Sequence, residues 1–143
     1  MPYTYEYPMP AVTVDAVIFW QTEFSTKILL VKRGNEPFKG QWALPGGFIE
    51  IDEELDDAVI RELKEETGIA HDKLEQVFAI GTVGRDPRYR TISAVYFGWF
   101  DEQKMKVHAG DDACDAQWFD LENLPSLAFD HTEIVRKILS RYK

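Results

Sequence analysis

The sequence predicts an α+β layered domain. Strand-like segments come in hairpin-like pairs, one uninterrupted helix stands among them, and an amphipathic helix closes the chain. Residues 11–19, AVTVDAVIF, alternate and cluster β-branched and aromatic residues as a strand does. Residues 27–32, KILLVK, read as its hairpin partner across a QTEFS loop. The polar stretch RGNEPFKGQ leads into a short apolar strand at Trp42–Leu44 and then a glycine turn at Pro45, Gly46 and Gly47. From Glu53 to Thr67 neither Gly nor Pro interrupts the chain. Leu55, Ala58, Val59 and Leu63 recur there at helical spacing, and Gly68 stands where a helix stops. Further strands are expected over residues 75–82, 91–100 and 116–119, with the basic loop GRDPRYR between the first two. In the C-terminal HTEIVRKILSRYK, Ile134, Val135, Ile138 and Leu139 share one helical face.

The 143 residues fit one domain, 1–143, with a substantial core. Apolar residues make up 45% and charged residues 29%, which excludes a disordered or fibrous chain. The opening MPYTYEYPMP lacks the basic start and apolar run of a signal peptide, and no stretch is long enough to span a bilayer, so a cytoplasmic protein without a membrane partner is expected. Cys114 is the only cysteine, so no intrachain disulfide forms, in keeping with a reducing compartment. A net charge of −9 argues against a nucleic-acid surface, which needs clustered Lys and Arg. An acidic chain that handles anionic substrates must recruit cations.

The informative segment runs from Gly47 to Ile69: Gly47, Glu53, Arg61, Glu62, Leu63, Glu65, Glu66, Gly68 and Ile69. Residues three and four apart on a helix are neighbours, so Glu62, Glu65 and Glu66 are expected together, on a face roughly opposite the apolar stripe. At about 6 Å each carboxylate pair repels by roughly 0.7 kcal/mol in water and about 3 kcal/mol at an effective dielectric near 20. A cluster of this kind calls for a cation. Oxygen ligands select a hard one, so Mg²⁺ is the natural occupant and Mn²⁺ the chemical alternative. Zinc does not fit, because His71, His108 and His131 are scattered and Cys114 is alone.

These nine positions resemble the Nudix box, the signature of the Nudix hydrolases. The resemblance implies an α/β/α sandwich with a mixed β-sheet between helices, and hydrolysis of the pyrophosphate bond of a nucleoside diphosphate linked to another group. It assigns metal ligation to Glu62 and Glu66, assistance or ligation to Glu65, and a backbone carbonyl ligand to Gly46. Arg61 is expected to pair with Glu53 and orient the helix. Gly46 and Gly47 let the backbone turn and approach metal and phosphates closely. Many members carry Gly where this chain has Asp52, which is expected instead to cap the helix and favour its dipole. A downstream acid usually supplies a base or extra ligand. AGDDACD offers Asp112, with Asp111 next, and the alternative for both is a solvated turn.

Three further segments, LLVKRGNEPFKGQWALPGGF, GRDPRYRTIS and LAFDH, look like ADP-ribose pyrophosphatases and the ADP-ribose-sensing Nudix regulators of NAD synthesis. Arg33, Arg85, Arg88 and Arg90 offer forked donors for phosphates, with Arg33 and Arg90 the preferred pair and solvated surface charge the alternative. Trp42, Tyr89 and Phe129 can stack on a purine, and Asp130 can accept from its exocyclic amine; for Trp42, packing is an equal alternative. The resemblance implies AMP and ribose 5-phosphate as products, and a homodimer. Another nucleotide sugar, a dinucleotide or a nucleoside triphosphate is the competing substrate, and a non-catalytic sensor the competing class. Those regulators carry a DNA-binding segment after the Nudix domain, and many have degenerate boxes. The intact box and the chain end at Lys143 favour the enzyme.

Overall fold

Strand β1 (Ala11–Gln21) organises the sheet in the computed structural model, which describes residues 2–102 and 113–142. Its interior run Thr13–Phe19 is buried on both faces, which is why this segment reads as nearly continuous apolar sequence. Among the described residues six strands join it: β2 (Thr26–Arg33), β3 (Trp42–Ala43), β4 (Gly46–Phe48), β5 (Glu75–Ile80), β6 (Thr91–Trp99) and β7 (Ala113–Asp120). The main path is β3-β2-β1-β6-β5, with β7 on β2 and β4 on β1. β1 and β6 run parallel from Ala11↔Thr91 to Phe19↔Trp99, and the other pairs are antiparallel, so the sheet is mixed. On its other edge β1 is shared: β2 pairs with it at Phe19–Gln21 and β4 at Thr13–Asp15. That division separates β2 from β4.

The period-two alternation of β1 sorts its side chains between two cores. Val17 and Phe19 pack with Ile28, Leu30, Val95 and Phe97 beneath helix α2 (His131–Tyr142), which contributes Ile134, Val135 and Ile138. Val14, Ala16 and Ile18 pack with Leu29, Ala94 and Tyr96 beneath helix α1 (Leu55–Thr67), which contributes Ala58, Val59 and Leu63. A mixed sheet between two helices is the sandwich that the sequence predicts.

Three local expectations need correction. Gly46 and Gly47 are in strand β4, neither with positive φ, so no sharp turn requires them. Asp52 lies in the turn before α1 and does not cap it. The N-cap is Glu54, with no side-chain cap hydrogen bond, and Asp56 and Asp57 bring the negative charge to the first turn. Finally, Glu62 and Glu66 belong to the buried face of α1, together with Ala58, Val59 and Leu63. The C-terminus of α1 is as expected: Gly68 adopts φ 80° and its N–H bonds to the Lys64 carbonyl.

Candidate active site

A cavity of about 450 Å³ opens where β2 and β4 part, within the range of small-molecule sites. One wall belongs to the box. Glu62 and Glu66 are only 8% and 9% exposed, an unfavourable place for two carboxylates unless each is engaged. Glu66 Oε1 accepts the Gly46 N–H at 2.7 Å. Glu62 Oε1 accepts from Arg61 at 2.8 Å. Gly47 packs so closely on Glu62 that a Cβ there would stand 2.6 Å from Oε2, and one on Gly46 would stand 2.0 Å from the Val14 carbonyl oxygen. Close approach is therefore the physical reason for both glycines.

Arg61 ties this wall together. Its Nε and one terminal nitrogen form a fork on Glu53, at 2.6 and 2.9 Å, while its other terminal nitrogen bridges Glu62 and Glu65. The fork holds the Glu53 carboxyl down at about 2, and the same bonds raise the Arg61 pKa. Glu65, with 43% of its side chain exposed, is the outlying member of the three. Among the described residues no three His, Cys, Asp or Glu side chains are gathered as a metal set. Two buried, oxygen-bearing side chains one helical turn apart, against a backbone that leaves no room for a Cβ, nevertheless fit a hard divalent cation. The Arg61 guanidinium supplies positive charge to Glu62 and Glu65.

Another part of the lining is cationic and aromatic. Arg33 lines the cavity, donates to the Pro37 carbonyl at 2.7 Å, and has no carboxylate ion pair among the described residues. Burial and the neighbouring Arg88 lower its pKa from a very high starting value, so it stays charged. Arg88 is braced by a fork on buried Asp86, and Asp86 is held below the usual carboxylate range because that fork outweighs burial. Phe129 lies between these cations: the Arg33 guanidinium is 4.9 Å and that of Arg88 5.6 Å from its ring centre. Its φ of 53° is unusual for a non-glycine residue.

Several expected binding residues sit elsewhere. Arg85 does line the cavity, but it forks onto Asp130 at 2.9 and 2.8 Å, so each occupies the other. Burial opposes the Arg85 charge, and the Asp130 bond outweighs it and raises the pKa. The expected contact of Asp130 with a purine amine is thus replaced by a structural pair. Arg90 is exposed near Gly81 and outside the cavity lining; Arg88 takes the place expected for it. Trp42 packs on Phe119 with ring centres 4.7 Å apart, in the α2-side core rather than in the cavity. Tyr89 is exposed and packs edge-on against Phe48. Asp111 and Asp112 lie outside the described residues. Asp15, not among the sequence candidates, and His131, considered there only as a zinc ligand, are both buried and both line the cavity. The available signal was an aspartate inside the apolar run AVTVDAVIF.

A two-helix sandwich with an acidic helix facing a glycine strand defines the Nudix class. The NUDIX domain family matches residues 9–142, and the chain belongs to that family as a Nudix pyrophosphohydrolase similar to ADP-ribose pyrophosphatases. An ADP-ribose pyrophosphatase of Methanocaldococcus jannaschii is 48% identical over 130 residues, 91% of this chain and 73% of that protein. An ADPR responsive transcriptional repressor, NtrR, of Acinetobacter baylyi is 37% identical over 95% of this chain, which spans only 56% of the repressor. Among solved structures, the NUDIX domain of Shewanella oneidensis NrtR, complexed with ADP ribose, superposes with a TM-score of 0.86. It is 34% identical, and the match covers 96% of this chain and 91% of that one. No helix among the described residues is long and apolar enough to cross a membrane.

Proposed function

We propose that this domain hydrolyses ADP-ribose to AMP and ribose 5-phosphate with Mg²⁺, Mn²⁺ being the alternative metal. The observation that carries the reading is that one cavity is lined both by two buried carboxylates, Glu62 and Glu66, and by the cationic, aromatic group Arg33, Phe129 and Arg88. The 48% identical pyrophosphatase supports the choice of substrate.

Glu62 and Glu66, with Glu65 and the Gly46 carbonyl, would hold the cation, which would supply charge neutralisation at the diphosphate and a more acidic water. Arg61 orients Glu62 and fastens α1 to Glu53. Arg33 grips a phosphate oxygen and Phe129 stacks on the base. Asp112, with Asp111 as the alternative, takes the proton from the attacking water. Ala113, the next described residue, pairs with Arg33 at the cavity wall, which supports that assignment. Water adds at phosphorus, the bridging P–O bond breaks, and its oxygen leaves with the other phosphate.

The test is a panel of ADP-ribose, nucleotide sugars, dinucleotides and nucleoside triphosphates, with products identified in Mg²⁺ and in Mn²⁺. Preferential turnover of a nucleoside triphosphate would replace ADP-ribose. A second reading, an ADP-ribose sensor without catalysis, is favoured by the repressor relative and by the ADP ribose bound to its Shewanella counterpart. ADP-ribose that binds and remains intact would establish it. A cytoplasmic homodimer without a nucleic-acid partner completes the proposal, and solution mass and DNA-binding measurements check those parts.

A further inference from the structure

On the α2 side of β4, the cavity wall carries two polar atoms that the box does not use. Asp15 is the register partner of Gly46, so it lies directly across the strand pair from the residue whose N–H meets Glu66. Asp15 is 6% exposed and His131 5%, and both line the cavity. Asp15 Oδ2 is occupied: it accepts from Ser93 Oγ and has Arg85 at 4.0 Å. Oδ1 instead faces His131 Nε2 at 3.6 Å, beyond hydrogen-bond length. The other ring nitrogen, Nδ1, accepts the Leu44 N–H at 3.0 Å, so the neutral ring carries its proton on Nε2. An acceptor and a donor from two buried residues thus stand side by side at the cavity without bonding each other, an arrangement that suits a third group able to meet both.

Proton bookkeeping restricts which groups can meet both atoms, and a substrate hydroxyl is the one that can take the place of a water there. An oxygen about 2.8 Å from each atom spans the gap. A phosphate oxygen would meet the Asp15 carboxylate with like charge, and a carbonyl has no proton to give it. An amine conjugated to a purine has no effective lone pair for Nε2–H. A hydroxyl accepts from His131 and donates to Asp15 at once. We infer that Asp15 and His131 form a subsite for a sugar hydroxyl of the substrate. The inference rests on the proposed ADP-ribose reading and adds what the cavity requires of the sugar. The hydroxyl belongs either to the adenosine ribose or to the terminal ribose, and both share this chemistry.

The experiment compares ADP-ribose with analogues lacking single hydroxyls on one ribose or the other, by steady-state turnover and by calorimetric binding. In the wild-type protein one analogue should lose about ten- to a hundredfold in kcat/KM, mainly through KM, or the same factor in Kd. The ribose that carries the sensitive hydroxyl identifies the source. His131→Asn keeps an acceptor for the Leu44 N–H and removes the Nε2–H donor. In that variant ADP-ribose and the sensitive analogue should come within about threefold of each other. Equal handling of all analogues by the wild-type protein overturns the inference without recourse to any variant. So does a His131→Asn protein that weakens every substrate by the same factor. Binding of ADP-ribose without discrimination overturns this subsite alone, whereas absence of both binding and turnover overturns the parent reading with it.

Discussion

Gly46→Ala and Gly47→Ala add the same methyl group to adjacent residues of β4, and the structure assigns them opposite consequences. Neither glycine has positive φ, so alanine is conformationally acceptable at both and only contact decides. At Gly47 the new Cβ would meet the Glu62 carboxyl, with Oε2 at 2.6 Å and Cδ at 2.8 Å, the far end of a side chain that can move. Restoring ordinary contact displaces that carboxyl by about 0.8 Å, and misplacement on this scale costs on the order of a hundredfold in rate, or about 2.7 kcal/mol of barrier. At Gly46 the new Cβ would stand 2.0 Å from the Val14 carbonyl oxygen, a backbone atom of β1. β4 must then separate from β1, at a cost of about 3 kcal/mol in fold stability. Thermal unfolding and kcat/KM with saturating Mg²⁺ should therefore diverge. Gly47→Ala melts within a few degrees of the wild-type protein but is about a hundredfold slower, whereas Gly46→Ala melts roughly 10 °C lower. Wild-type turnover by Gly47→Ala, or equal destabilisation of the two variants, would refute the reasoning.

Glu66→Gln keeps an acceptor for the Gly46 N–H and removes one ligand charge, so the fold should persist while turnover falls by about three decades or more; near-normal Mg²⁺ turnover would remove the metal assignment. Arg33→Ala should raise KM tenfold or more with little change in kcat, and a fall in kcat alone would contradict a binding role. Glu53, held at about 2 against an ordinary 4.5, contributes stability that is complete above pH 4.5 and is lost as pH falls through about 2. Urea titrations between those limits should show a slope that Glu53→Gln flattens, and identical slopes would show that the Arg61 fork adds nothing to stability.

The layer order was legible in the sequence, because β1 alternates side chains between two cores while α1 and α2 each turn one 3.6-period face to one of them. The box was legible because most of its contacts, Gly47 on the Glu62 carboxyl and Arg61 on Glu53, Glu62 and Glu65, lie within one segment. The expected separation of the carboxylates from the apolar stripe of α1 does not hold, because Glu62 and Glu66 share the buried face. At about 100° per residue, Glu62 and Glu66 fall between Ala58 and Val59 on the helical wheel, so the arithmetic already placed them inward. Long-range pairings were a different matter. Nothing local shows that Arg85 meets Asp130, 45 positions away, or that His131 meets Asp15, since those contacts arise only when α2 closes over the sheet. Arg88 displaced Arg90 as a cavity residue because buried Asp86 captures it from two positions away.

The central claim is that Glu62 and Glu66 support cleavage of the diphosphate in ADP-ribose. Phosphorus-31 NMR of ADP-ribose incubated with the protein and Mg²⁺ tests it most directly. The account requires the two coupled diphosphate signals to be replaced by equal monoester signals of AMP and ribose 5-phosphate, with no change when the metal is chelated or Glu66 is replaced by Gln. ADP-ribose that stays intact although bound, or release of inorganic phosphate in place of AMP, would contradict it.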